Sequence, residues 1–209
     1  MRVGAGNTWR RMAHLALLTG VLAGCSEAEE AAREDSKTSA RPSATPAATA
    51  TSTPTGGSIG AAGSACELPV TFDLAKSWTA ESVEAPLRQG PVSLACEIDA
   101  KPAGNIGFLR VWTGEPGSDD AQKVLEAFVA AEDGASKPQY RPFKAGELAG
   151  VEVEYLYTSE LLDEKKTESA FAVTTAGGPV VVHLGGLDTE EHEEMLPAYE
   201  LAQRTLRTV

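Results

Sequence analysis

Ile106-Gly107-Phe108-Leu109-Arg110-Val111-Trp112-Thr113 is the stretch that decides the fold class. In an extended chain, Ile106, Phe108 and Trp112 fall on one side, and Leu109 and Val111 on the other. A strand that is apolar on both sides belongs inside a sheet covered on both faces. Upstream, Val92-Ser93-Leu94-Ala95-Cys96-Glu97-Ile98 reads as its neighbour, joined through a turn at Pro102-Ala103-Gly104. Further upstream, Val70-Thr71-Phe72-Asp73-Leu74 alternates at period two, and Trp78 to Val83 reads as its partner across Ala75-Lys76-Ser77.

Downstream the period changes. Ala121, Val124, Leu125, Phe128 and Val129 recur at helical spacing and form one apolar stripe. Ser118 is the expected N-cap, Asp119 and Asp120 suit the positive end of the helix dipole, and Gly134 suits the C-terminal stop. Alternation then returns. Val151, Val153, Tyr155 and Tyr157 face one way, and Glu152, Glu154 and Leu156 the other, as in a half-exposed strand. Ser169–Thr175 and Val180–Leu184 form a hairpin across Ala176-Gly177-Gly178-Pro179. A last helix runs from about Thr189 to Leu206. Asp188 is its cap, Pro197 kinks or restarts it, and Met195, Ala198, Tyr199, Ala202 and Thr205/Leu206 form its buried stripe. Sequential strands with tight turns and two interspersed helices predict an α+β domain: an antiparallel sheet with helices packed on its faces.

The first 65 residues read differently. Met1 to Arg11 is basic and ends in Arg10-Arg11; Met12 to Ala23 is apolar but too short to span a bilayer. Leu22-Ala23-Gly24-Cys25 resembles the bacterial lipobox, in which small residues admit the chain to a peptidase and the cysteine thiol takes diacylglycerol. The resemblance implies a signal peptide over 1–24, lipid (palmitate included) on Cys25, and anchoring at the extracytoplasmic face of the cell membrane. The general secretory route fits better than twin-arginine export, because Met12-Ala13-His14 follows the arginine pair. Residues 26–65 are rich in Ala, Ser, Thr and Pro and poor in large apolar groups, so a disordered tether is expected there. Its 40 residues would reach roughly 35 Å. The globular domain is therefore expected over 66–209.

Composition excludes some partners. The chain carries a net charge of −12. From Cys66 onward there are 25 acids against 12 Lys and Arg. No basic patch offers the counterion exchange that nucleic acid demands. With Cys25 committed to lipid, Cys66 and Cys96 remain as a pair in an oxidising compartment and are expected to form a disulfide.

Chemistry is sparse. Gly56-Gly57-Ser58-Ile59-Gly60 satisfies the G-x-S-x-G pattern but lacks the strand–turn–helix setting of a nucleophile elbow. His192-Glu193-Glu194-Met195-Leu196 opens like a zinc-protease helix without the second histidine, so His192 is expected as a solvated helix residue. Glu190 and Glu194, and Glu191 with Asp188, are ordinary acids for a helix N-terminus. An acid–base or calcium role is the sharper alternative. His183 is expected as a packed strand histidine, since a triad would need a nucleophile and an acid that spacing does not reveal. Tyr155 and Tyr157 are expected in packing, with a groove lining as the alternative. No catalytic, cofactor or metal residue is assigned.

Val70-Thr71-Phe72-Asp73-Leu74-Ala75-Lys76-Ser77-Trp78 and Met195-Leu196-Pro197-Ala198-Tyr199, with the element order around them, resemble the PsbP-like sandwich over 66–209. That family, found in photosystem extrinsic subunits and actinobacterial lipoproteins, is mostly non-enzymatic. The resemblance implies a binding or accessory lipoprotein, with an envelope protein as its partner. Two alternatives stand beside it: a small-ligand carrier with an internal cavity, and a cell-envelope hydrolase built on His183 or the acidic helix.

Overall fold

In the computed structural model, residues 53, 55–85, 87–117, 120–159 and 164–209 are described. The signal segment, Cys25, most of the tether, and Ser118 with Asp119 lie outside them.

Among the described residues, eleven strands and two α-helices follow in order. They are β1 (Thr55–Ile59), β2 (Val70–Ala75), β3 (Thr79–Ser82), β4 (Arg88–Gln89), β5 (Val92–Asp99), β6 (Phe108–Thr113), α1 (Ala121–Ala130), β7 (Ala135–Ala145), β8 (Leu148–Thr158), β9 (Lys165–Thr175), β10 (Gly178–Gly185), α2 (Thr189–Arg204) and β11 (Arg207–Thr208). Eight strands form one sheet in the order β3-β5-β6-β10-β9-β8-β7, with β4 also pairing β5. A small sheet has the order β1-β2-β11. The ladders are antiparallel throughout. The domain is α+β and dominated by its sheet.

Side-chain alternation splits the core in two. Val181 of β10, Ala170 and Ala172 of β9, and Val153 and Tyr155 of β8 share a cluster with Val124, Leu125, Phe128 and Val129 of α1. Val180, Val182 and Leu184, with Phe171 and Val173, face the other way and pack with α2 and with Val70, Phe72 and Leu74 of the small sheet. Strand β5 serves both sides: Val92 and Leu94 lie in the α1 cluster, Cys96 and Ile98 in the α2 cluster. Period-two parity alone forbids that. A register shift between Leu94 and Cys96 reverses the facing, as a β-bulge does. On β6, Leu109 and Val111 enter one core and Trp112 the other, which places it inside the sheet between β5 and β10. Ile106 stays outside this strand, 60% exposed.

Several expectations change. The ordered domain begins before Cys66, because β1 lies inside the expected tether and pairs with β2. The described residues, β1 included, form one compact unit. The tether composition was a poor guide here because β1 is held by its backbone ladder and one buried side chain, Ile59; four of its five residues are exposed. β3 pairs with β5 rather than β2, since β2 is already flanked by β1 and β11. Helix α1 is capped by Asp120, whose carboxylate accepts from Lys123 N–H, and it ends at Ala130, ahead of Gly134. Strand β7 was not anticipated. Its sequence ASKPQYRPFKA is mostly exposed, as befits a sheet edge carrying lysines and prolines. Asp188 caps α2 as expected, accepting from Glu191 N–H, and Pro197 sits within a continuous helix. Cys66 and Cys96 are disulfide-bonded, joining the entry of the domain to β5.

Candidate functional site

The α1 face of the large sheet is apolar except at one end. There β8, β9 and β10 bring Tyr155, Glu168 and His183 together. Tyr155 stands directly opposite Glu168 across the β8–β9 ladder. His183 stands opposite Ala170, two residues beyond Glu168 on the same face. The chain leaving α1 turns over this end and adds Glu132. Lys166, two residues before Glu168, completes the group.

The polar atoms are close. His183 Nε2 lies 2.9 Å from Glu168 Oε2, and Lys166 Nζ lies 2.7 Å from Glu168 Oε1. Tyr155 Oη lies 2.5 Å from Glu132 Oε2, 3.0 Å from Glu168 Oε2 and 3.1 Å from His183 Nε2. Lys166 also donates to Gly186 O at 2.6 Å and sits over the Tyr157 ring. Phe128 of α1 packs edge-on against the His183 ring and restricts its rotation. Glu168, His183 and Tyr155 are buried; Glu132 is half-buried.

Burial costs charged groups their hydration, and the cluster responds group by group. Desolvation would raise the Glu168 carboxyl, yet His183 and Lys166, by charge and hydrogen bond, hold it down at about 2. Desolvation raises Glu132, against the opposing pull of His183. Tyr155 is driven upward by burial and by both carboxylates, so its phenol keeps its proton.

The cluster floors an open pocket of about 340 Å³, whose lining includes Glu132, Glu168, His183, Lys166, Tyr157 and Arg110. Ile106 and Leu187 stand at its rim, 60% and 56% exposed. The backbone N–H groups of Ile106, Gly107 and Leu187 all donate to the Glu191 carboxylate. That one side chain in the first turn of α2 therefore fixes two rim loops, beyond the dipole role expected of it. Glu190 and Glu194 are exposed.

A second polar pair lies on the other side of the sheet. Ser169 Oγ is 3.2 Å from His192 Nε2, and both residues are buried. The expectation that His192 is solvated is overturned: it is 1% exposed, because it lies three residues before Met195 and seven before Tyr199 on the buried face of α2. Burial lowers its imidazole to about 4, and its Nδ1 has no partner among the described residues. Ser169 borders a pocket of about 430 Å³ with Tyr199, Gln203, Arg204, Glu152 and Arg141 among its lining.

Of the residues singled out in the sequence, His183 and Tyr155 are in the cluster, Tyr157 lines its pocket, and His192 is elsewhere. Ser58 of the G-x-S-x-G stretch is exposed on β1, with no helix after it. Cys25 lies outside the described residues. Glu132, Lys166 and Glu168 were missed. Extending the alternation of Ala170 and Ala172 back by four residues would have placed Glu168 and Lys166 beside His183. Glu132, in a loop, carried no periodic signal.

Among solved structures, the fold is similar to the solution structure of cyanobacterial PsbP (CyanoP) from Synechocystis sp. PCC 6803, with a TM-score of 0.50 and 13% sequence identity over 68% of this chain and 87% of that one. At that identity the likeness is one of fold, and the domain is PsbP-like. No curated protein matches the chain in sequence. A family model described as "uncharacterised lipoprotein" matches residues 34–206, nearly all of the folded unit, and the chain belongs to that family, Lipoprotein_23.

Proposed function

We propose that the protein is a non-catalytic binding lipoprotein, lipidated on Cys25, displayed on the extracytoplasmic face of the cell membrane, and that it binds through the pocket over Glu168 and His183. The observation that carries this is the form of the pocket: a buried charged floor, an apolar rim of Ile106 and Leu187, and rim loops fixed by Glu191. Such a pairing of apolar walls with a few convergent polar groups is the usual build of a binding site. Fixed loops lower the ordering cost of association.

The non-catalytic part is supported by what surrounds His183. It has its carboxylate in Glu168, but the atom at the place of a nucleophile is the phenol of Tyr155, which burial keeps protonated. No serine, threonine or cysteine is recorded within hydrogen-bond reach of His183 Nε2 among the described residues.

The test uses the full chain in its native membrane, with a photo-crosslinking residue at Ile106 or, as control, at the exposed Lys76. Crosslinking to an envelope protein from position 106 alone is the expected result; equal labelling from both positions refutes the pocket. Cys25→Ser should release the chain from the membrane fraction, and full retention of that variant refutes the anchor.

A further inference from the structure

We propose that Glu132, Glu168 and His183 form a binding site for one first-row divalent cation of the zinc or manganese kind. This names a ligand for the pocket above and rests on that reading for its role, though the ion's presence is tested on its own.

The first ground is geometry. One ligand atom from each of the three residues lies within 4.8 Å of the other two. A cation with bonds of about 2.0–2.2 Å to imidazole nitrogen and carboxylate oxygen sets its tetrahedral ligands about 3.4 Å apart. The distances of 2.9 Å from His183 Nε2 to Glu168 Oε2 and 2.5–3.1 Å from Tyr155 Oη to the three groups are within a few tenths of an ångström to one ångström of that spacing. On binding, the three ligand atoms would close from within 4.8 Å of one another to that spacing, with Tyr155 or a water in the fourth place. All three ligands border the open pocket, so an ion has a route in.

The second ground is convergence. The side chains of Glu132 and Glu168 meet at one phenol oxygen, Tyr155 Oη, at 2.5 and 3.0 Å, and the same Glu168 oxygen lies 2.9 Å from His183 Nε2. Two carboxyl groups and an imidazole brought to one point of the sheet, with one phenol between them, are the donors a cation gathers.

The donor set chooses the class. An imidazole beside two carboxylates suits zinc, manganese or ferrous iron, whereas magnesium and calcium take oxygen alone. Lys166 limits the stoichiometry: its ammonium lies 2.7 Å from Glu168 Oε1, so that oxygen is already engaged and the remaining donors suit one ion.

The experiment uses the full chain, extracted in detergent, stripped with a chelator and freed of it. Zinc and manganese are titrated separately against a chromophoric competitor, and cobalt is added as a visible-absorption probe. One ion per chain is expected, with affinity falling about 100-fold in Glu132→Gln and in Glu168→Gln, since even outer-sphere changes cost 10–100-fold. Exposed Glu193→Gln should bind as the parent does. Near-ultraviolet circular dichroism checks the fold of each variant; Glu132 sits half-exposed in a turn, which makes it the safer of the two substitutions. The proposal is overturned if the parent binds neither ion stoichiometrically, or if a folded Glu132→Gln chain binds with parental affinity. Crosslinking from position 106 that survives chelation under either result leaves the pocket reading standing without the ion; its loss in every chain, metal-loaded or not, refutes the pocket itself.

Discussion

Acidification should destabilise this domain through His192, and the effect can be separated from every other titration. The imidazole is 1% exposed and lowered from 6.5 to about 4 by the loss of hydration. In the unfolded chain it takes a proton near pH 6.5; in the folded domain it waits until about pH 4. Between those values the unfolded state binds more protons, so stability falls as pH falls. At about 1.4 kcal/mol per tenfold difference in proton affinity, the loss is about 3 kcal/mol, complete near pH 4. Glu168, held at about 2, adds its own loss only below about pH 4.5. Glu132 works in the opposite sense. Its raised carboxyl stabilises the fold below pH 4.5, and that contribution fades as pH rises through its folded value. The paired variant Ser169→Ala/His192→Leu removes both members of the buried hydrogen bond, so neither is stranded. Urea unfolding from pH 7 to pH 4 should show the parent losing about 3 kcal/mol more than the variant. Parallel pH profiles would refute the assignment of the slope to His192.

Three further outcomes are expected. Reducing the Cys66–Cys96 bond, which closes a loop with a sequence separation of 30, should cost about 3–4 kcal/mol in urea midpoints measured with and without reductant. Phe171→Ala should cost about 3–5 kcal/mol by thermal melting, because the ring is fully buried and contacts Phe143 and Tyr199. Gly178→Ala should destabilise strongly, since φ is +112° there and a Cβ would sit 2.1 Å from Gly114 O; the strained dihedral alone costs about 1–3 kcal/mol, and a melting temperature equal to the parent's would contradict the described turn.

Much of the fold was legible where burial and period agree. The β9–β10 hairpin, the stripe of α1 and the Asp188 cap all follow from apolar residues at fixed spacing or from a side chain with one local job. β1 and β7 escaped because their order comes from backbone pairing, to which side chains contribute little signal. The bulge in β5 escaped because nothing in Ser93-Leu94-Ala95-Cys96 marks the residue that steps out of register. His192 was misjudged by its type: read by position, 192, 195, 199 and 202 form one buried row. The pocket was half visible. His183 drew notice alone, but its meaning depends on Glu168 across a ladder and Glu132 beyond a helix, which no spacing along the chain encodes.

The disulfide has a mechanical consequence. A pull arriving from the N-terminal side meets β1 first, and β1 is held by its ladder to β2 and the burial of Ile59. Next comes Cys66, from which the covalent bond passes the load straight to Cys96 in β5, bypassing β2, β3 and β4. β1 thus acts as a fuse ahead of a shackle. Under tension, residues 55–65 would unreel and extend the chain by roughly 35–40 Å. The large sheet and the pocket would stay intact, and the strand would re-zip on release.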